Sequence, residues 1–298
     1  MEKLVFACVS SGLDIETQIF VASIRRFSGI LSESPIWIFT PRSENEIPQD
    51  IRKRFHNFGV KVISLTIDPE ITKFPFASYV FATATAESFV KDKTEILAWM
   101  LPDTLVLNEP KHFLLARDKN IGYRPVHHTL VGSIYNEPID PFWELLYRKC
   151  NVTEDKIFPM KTHVDNNTLR PYFNAGFLIV RPEKGLLLSW WKLFKELYPD
   201  PSFKEFYNKD EHYRIFIHQA VLAGVILSTM QKQELQELPF SYNYPLHLYH
   251  ESPNEYRPES IIDLITARYE NVEWLEKVPI QEPLKSWLKN QIESFSKQ

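Results

Sequence analysis

The chain has 298 residues, 44% apolar and 24% charged, with a formal net charge of −4 and both signs interspersed. That balance describes a globular chain with a sizeable core, and it argues against a nucleic-acid partner held by a basic stripe. No stretch approaches the ~20 apolar residues of a membrane span, and the short apolar opening is too brief for a secretory signal, so no transmembrane segment and a cytoplasmic location are expected.

In chain order, residues 4–9 are a continuous apolar run bounded by Ser10, Ser11 and Gly12, which predicts a buried parallel strand ending in a loop. Apolar spacing then predicts a helix over 15–27, a strand over 35–39, a helix over 51–58 stopped by Gly59, and a strand over 60–67. An Ala-rich helix over 81–91 and a strand over 95–100 follow. Strand–helix alternation of this kind implies a parallel sheet with crossover helices.

The second half is less regular. Short strands are expected at 105–107 and 121–123, an aromatic-faced helix over 138–150, a polar loop over 151–170 and a clear strand over 173–180. Helices are expected over 185–197 and 216–227, then an aromatic, turn-rich run over 239–250, a Pro-rich run over 252–258 and an amphipathic helix over 283–295. We expect one domain over 1–298, with a nucleotide-binding half (1–110), an acceptor half (111–260) and a C-terminal helical tail (261–298).

The two cysteines, Cys8 and Cys150, are too few for a disulfide framework and read as small buried side chains in a reducing compartment. Only 8 glycines are present, with no Gly-x-Gly-x-x-Gly and no Walker pattern, which argues against a Gly-rich phosphate loop. His127 and His128 are adjacent, so a strand would point them to opposite faces and chelation by both is not expected. The Trp190–Trp191 pair reads as core plus surface.

Asp103 stands just past one apolar run and just before another, with Pro102 at its shoulder. It reads as the tip of a buried strand, where ligands bind in open α/β sheets; it could equally cap backbone N–H groups in a turn.

Four pieces in order resemble the GT-A glycosyltransferases, and family 8 in particular: the N-terminal strand–loop–helix; Ala98-Trp-Met-Leu-Pro-Asp-Thr-Leu-Val-Leu107, where that family carries Asp-x-Asp-Thr; Tyr172-Phe-Asn-Ala-Gly-Phe-Leu-Ile179, similar to its Phe-Asn-Ser/Ala-Gly strand; and Ile217-His-Gln-Ala-Val-Leu222, where it has an Asp-Gln-Asp helix. The resemblance implies an α/β, Rossmann-type, mostly parallel sheet sandwiched by helices with a less regular acceptor-side half. It also implies a hexosyltransferase acting from a nucleotide-diphosphate sugar of UDP type on a glycan or small-molecule acceptor hydroxyl, with retention of configuration.

By the same resemblance, Gln219 would lie beside the anomeric carbon, His218 would replace an aspartate that contacts the donor sugar, and Asn174 would bind donor or acceptor. Ser10 and Ser11 would approach the nucleotide. Asp103 and His250 (or His247) would be what is left of a Mn²⁺ or Mg²⁺ site, because Leu101 stands where the first carboxylate belongs. One carboxylate and one imidazole make a weak site, so positive side chains would share the phosphate charge: Arg257 first, with Lys91, Lys93 and Arg124 behind it. His218 would bring a group that titrates near neutral pH. The alternatives are a catalytically silent GT-A binding or scaffold protein and an unrelated Rossmann-like enzyme.

Overall fold

The computed structural model describes residues 1–296. β1 (Glu2–Val9) sends Val5 and Ala7 to one face of the sheet and Leu4, Phe6 and Cys8 to the other, and both faces are buried. The chain then turns at Ser10, whose hydroxyl accepts from the Leu13 N–H (2.9 Å) and the Thr17 hydroxyl (2.8 Å). Asp14 caps α1 (Ile15–Phe27) by accepting from the Thr17 N–H at 3.2 Å. The alternation continues as expected through β2 (Ile36–Thr40), α2 (Gln49–Asn57), β3 (Val60–Ser64), a short α3 (Pro69–Thr72), α4 (Ala77–Val90) and β4 (Thr94–Met100). These four strands are all parallel, in the order β4-β1-β2-β3.

The second half adds β5 (Thr104–Val106), β6 (Ile121–Pro125), α5 (Pro141–Cys150), β7 (Met160–Lys161), β8 (Thr168–Leu169), β9 (Phe173–Val180) and α6 (Leu186–Leu197). It closes with α7 (Pro201–Lys209), α8 (Glu211–Thr229), β10 (Leu235–Glu237), β11 (Tyr244–Pro245), β12 (Thr266–Arg268) and α9 (Leu284–Ser296). The main sheet runs β10-β6-β9-β4-β1-β2-β3. It is parallel except for β9, which is antiparallel to both neighbours. One face packs on α4, α5, α6 and α8, the other on α1 and α2. The architecture is the helix-flanked, mostly parallel α/β sheet with an irregular second half that the sequence implied.

Several local expectations change. The 151–170 segment is not all loop: β7 and β8 pair in a small antiparallel ribbon. α8 begins well before residue 216, at a cap where Asp210 accepts from the His212 N–H. The C-terminal piece is more than a helical tail. Its β12 joins β11 and β5 in a three-stranded sheet, and α9 packs into the apolar cluster behind it. Cys8 and Cys150 are buried free thiols. Among the described residues, no helix is long and apolar enough to cross a membrane.

Candidate active site

The parallel β1–β4 pairing brings both C-terminal strand ends to one edge of the sheet, and the reversed β9 starts there. A cavity of about 460 Å³ opens at this edge, lined by Leu101 after β4, Asn174, Ala175 and Gly176 at the start of β9, and His218 and Gln219 of α8. The rest of its lining comes from His127 and His128 after β6, His247 and Leu248 after β11, and Arg268 and Glu270 at and beyond β12. Leu101, Asn174 and Gln219 thus line one crevice, and Asp103 is not among its lining residues. Three lining residues, Phe76, Leu130 and Glu270, have φ of 59°, 44° and 62°. Left-handed backbone at non-glycine residues is costly and gathers at functional sites.

At Ala175 the β9 wall is held by side chains rather than by strand pairing. The β6–β9 register shifts between Tyr123 and Pro125, and the Ala175 peptide finds other partners. Its N–H donates to Gln219 Oε1 at 2.9 Å, and its carbonyl accepts from the Tyr79 hydroxyl at 2.8 Å. Tyr79 in turn accepts from Trp99 Nε1 at 2.7 Å. Asn174 Oδ1 accepts from the Gly176 N–H (3.0 Å), and its Nδ2 lies 3.3 Å from His127 Nε2. Gln219 thus spends a lone pair of its amide oxygen on the wall of the site.

His218 is buried against Trp190 and stacked on the exposed Phe76 ring, with centroids 4.3 Å apart. Its Nδ1 lies 2.8 Å from the Ile215 carbonyl. Burial pushes its pKa down to about 4. It is therefore neutral at pH 7, not the near-neutral titrating group expected. Trp190 is wholly buried and donates to the His218 carbonyl, and Trp191 is buried too, so neither offers a platform to a sugar.

Asp103 is buried. Its Oδ2 accepts from Arg268 Nε at 3.0 Å and its Oδ1 has no partner. The register explains the contact, since β12 runs antiparallel to β5 and sets Arg268 beside Thr104. Burial raises the Asp103 pKa and Arg268 opposes the shift. His247 is buried beside this pair, its Nε2 3.6 Å from Glu270 Oε1 and its Nδ1 3.4 Å from the Arg268 carbonyl. Burial, then the Arg268 charge, lowers it to about 4. Desolvation, aided by His163 and His247, also holds His127 well below the usual imidazole range.

The other expected residues lie elsewhere. His250 is exposed, its Nε2 against the Lys277 carbonyl (3.2 Å), and Arg257 donates to the His250 carbonyl at 2.6 Å. The two form a couple outside the cavity, so the expected convergence of Asp103, His250 and Arg257 is not found; His247 is the histidine beside Asp103. Lys93 packs on Phe89 near the start of β4, at the opposite end of the strand from Asp103. Arg124 is taken by the Leu238 carbonyl and Glu237. Ser10 is consumed by the turn into α1, and Ser11 is exposed, its carbonyl accepting from Arg42. His127 and His128 follow the end of β6, so strand alternation does not separate them, and both line the cavity.

The divalent cation implied by the resemblance does not fit these residues. Leu101 offers no ligand and sits over Gly176, where an added Cβ would come within 2.6 Å of Leu101 Cδ1. The Asp103 carboxylate already holds a guanidinium. Among the described residues, no group of three or more His, Cys, Asp or Glu side chains is placed to hold a metal ion.

No curated protein matches the sequence. Among solved structures, the galactosyltransferase LgtC in complex with donor and acceptor sugar analogs is similar at 16% identity and TM-score 0.52, over 98% of this chain and 94% of that one. An active-site mutant of LgtC gives 15% identity and TM-score 0.54, over 98% and 95%. Mouse xyloside xylosyltransferase 1 in its apo form gives 12% and 0.48, over 90% and 97%. At such identities the likeness to LgtC shows the fold, which is GT-A-like. A family profile described as the Rhodobacterales glycosyltransferase domain matches residues 4–229. The chain belongs to that glycosyltransferase family.

Proposed function

We propose that the protein is a family-8-like hexosyltransferase that moves a sugar from a nucleoside diphosphate, of UDP type, to an acceptor hydroxyl. The observation that carries this reading is the cavity at the β4 and β9 ends, where the hydrogen-bonded Asn174, Gln219 and Ala175 peptide line the same space as Arg268. In the transfer, the bond between the sugar C1 and the diphosphate oxygen breaks with its electron pair leaving on oxygen. The acceptor oxygen bonds to C1, and its proton goes to the departing diphosphate. The wall holds donor and acceptor together, which supplies most of what such a step needs. The Gln219 amide, neutral and anchored through Ala175, adds dipole stabilisation to a positive C1 and is not the nucleophile. His218, uncharged and stacked on Phe76, shapes the sugar side of the pocket.

A second reading, a silent binding module, is favoured by the replacement of two acids by Leu101 and His218. Incubating the full chain with UDP-hexoses and common glycan acceptors, and assaying released UDP and glycosylated product, separates the two. Product formation supports the transferase; UDP-sugar binding with neither hydrolysis nor transfer supports the binding module. Absence of any nucleotide binding sinks the transferase and leaves the binding module only a glycan to hold.

A further inference from the structure

We propose that Arg268, rather than a divalent cation, supplies the positive charge that faces the donor's diphosphate, with Asp103 acting as the residue that positions its guanidinium. This rests on the reading of the cavity as a nucleotide-sugar site. The resemblance leads one to look for charge at a metal; the chain puts it on β12, in a segment that carries no recognised motif.

Among the described residues, Arg268 is the one Lys or Arg side chain that lines the cavity. Its Nε donates to Asp103 Oδ2 at 3.0 Å, and Nη2 stands 3.9 Å from Glu270 Oε1, beyond hydrogen-bond distance. Among the described residues its two NH₂ groups donate no hydrogen bond, and the side chain is 26% exposed. A guanidinium fixed through Nε, with its terminal N–H donors free at a cavity wall, is suited to bidentate recognition of phosphate oxygens. The imidazoles around it add donors but no charge at neutral pH, since burial keeps His127 and His247 uncharged.

The same geometry disfavours a cation on Asp103. A divalent ion there would share one carboxylate with a fixed guanidinium, and like charges in a partly buried corner repel strongly. Leu101 closes the position from which a second carboxylate would compensate. When the C1–oxygen bond breaks, the negative charge builds on the diphosphate, and Arg268 meets it through hydrogen bonds without giving up a proton, which its basicity forbids.

The test is calorimetric titration of the full chain with UDP and uridine, and with GDP and guanosine, in EDTA and in excess Mn²⁺. In EDTA the wild type should bind one diphosphate more tightly than its nucleoside by about tenfold or more, and Mn²⁺ should change that affinity by less than about threefold. Arg268→Gln should lose about tenfold or more on the diphosphate and little on the nucleoside, with Arg268→Lys between them. Asp103→Asn/Arg268→Gln, which leaves no buried carboxylate unpaired, repeats the measurement if the single variant folds poorly. Mn²⁺-dependent diphosphate binding in the wild type, or undiminished binding by Arg268→Gln, overturns the proposal while leaving the nucleotide-sugar reading intact. Failure of the wild type to bind either diphosphate defeats that reading itself, and this inference with it.

Discussion

The Ala175 side of the cavity and the Asp103 side satisfy their polar groups in opposite ways. On the first, a chain of neutral donors and acceptors runs Trp99–Tyr79–Ala175–Gln219 across two helices and two strands. On the second, one buried carboxylate oxygen is unpartnered and a half-used guanidinium faces the opening. A closed neutral network fixes shape, because opening any link strands a buried group. An incompletely satisfied charged corner keeps its interaction energy for a ligand. Shape and charge are thus divided between the two walls.

Acidification should have the largest effect, and it sharpens the contrast because depressed histidines stand on both sides, His218 and His127 by the Ala175 wall and His247 beside Asp103. His218 and His247 titrate at about 4 in the fold against 6.5 when unfolded. The stability each contributes is present above pH 6.5 and lost as pH falls through about 4, at most about 3 kcal/mol per ring. Urea unfolding across that window should show the slope. His218→Gln should remove its own share and leave the His247 share in place. A flat profile in the wild type would contradict the burial of both rings.

Tyr79→Phe comes next. It strands Trp99 Nε1 and the Ala175 carbonyl together and should cost about 2–4 kcal/mol. Gln219→Leu strands the Ala175 N–H and should cost about 1–3 kcal/mol. Chemical denaturation would rank them, and equal, negligible losses would break the picture of a closed network. Product assays on Gln219→Leu should show kcat reduced more than KM rises, if the amide acts at C1.

The smallest stability effect, about 1–2 kcal/mol, is expected for Gly176→Ala, because the clash falls on the movable end of Leu101. On the charged side, Leu101→Asp alone should gain little Mn²⁺ affinity. Leu101→Asp combined with Arg268→Gln should gain clearly more, as read by titration with Mn²⁺. Equal gains from the single and double variants would mean that Arg268 does not compete for the corner.

The neutral wall was legible in part, and its Tyr79 link was not, since it lies ahead of the helix expected over 81–91. Phe173-Asn-Ala-Gly stood out as a strand, and the helix carrying Gln219 had a clean apolar pattern. Asp103 was legible as a strand tip. Its partner was not, because Arg268 is 165 positions away on a three-residue strand, too short to show alternation. Asp200-Pro201 and Asp210, which start α7 and α8, were cap signals open to reading. The reversed direction of β9 and the left-handed backbone at Phe76, Leu130 and Glu270 arise from long-range packing, and no local pattern announces them. His250 and Arg257 were singled out by the family resemblance, which carries no information about which face of this turn-rich segment meets the sheet.

The reversal of β9 has one more consequence. Met100 pairs with Phe177, and the Leu101 N–H donates to the Gly176 carbonyl at 3.1 Å, so the cavity floor is stitched across two strands running in opposite senses. Sliding β9 by a single residue would swap its inward and outward side chains and drive the Asn174 amide into oil. The stretch from Phe173 to Phe177 therefore has no slack for insertions, and the Met160–Leu169 ribbon ahead of it is tied to the same place, with the Tyr172 N–H on Met160 Sδ and the Val164 N–H on the His127 carbonyl.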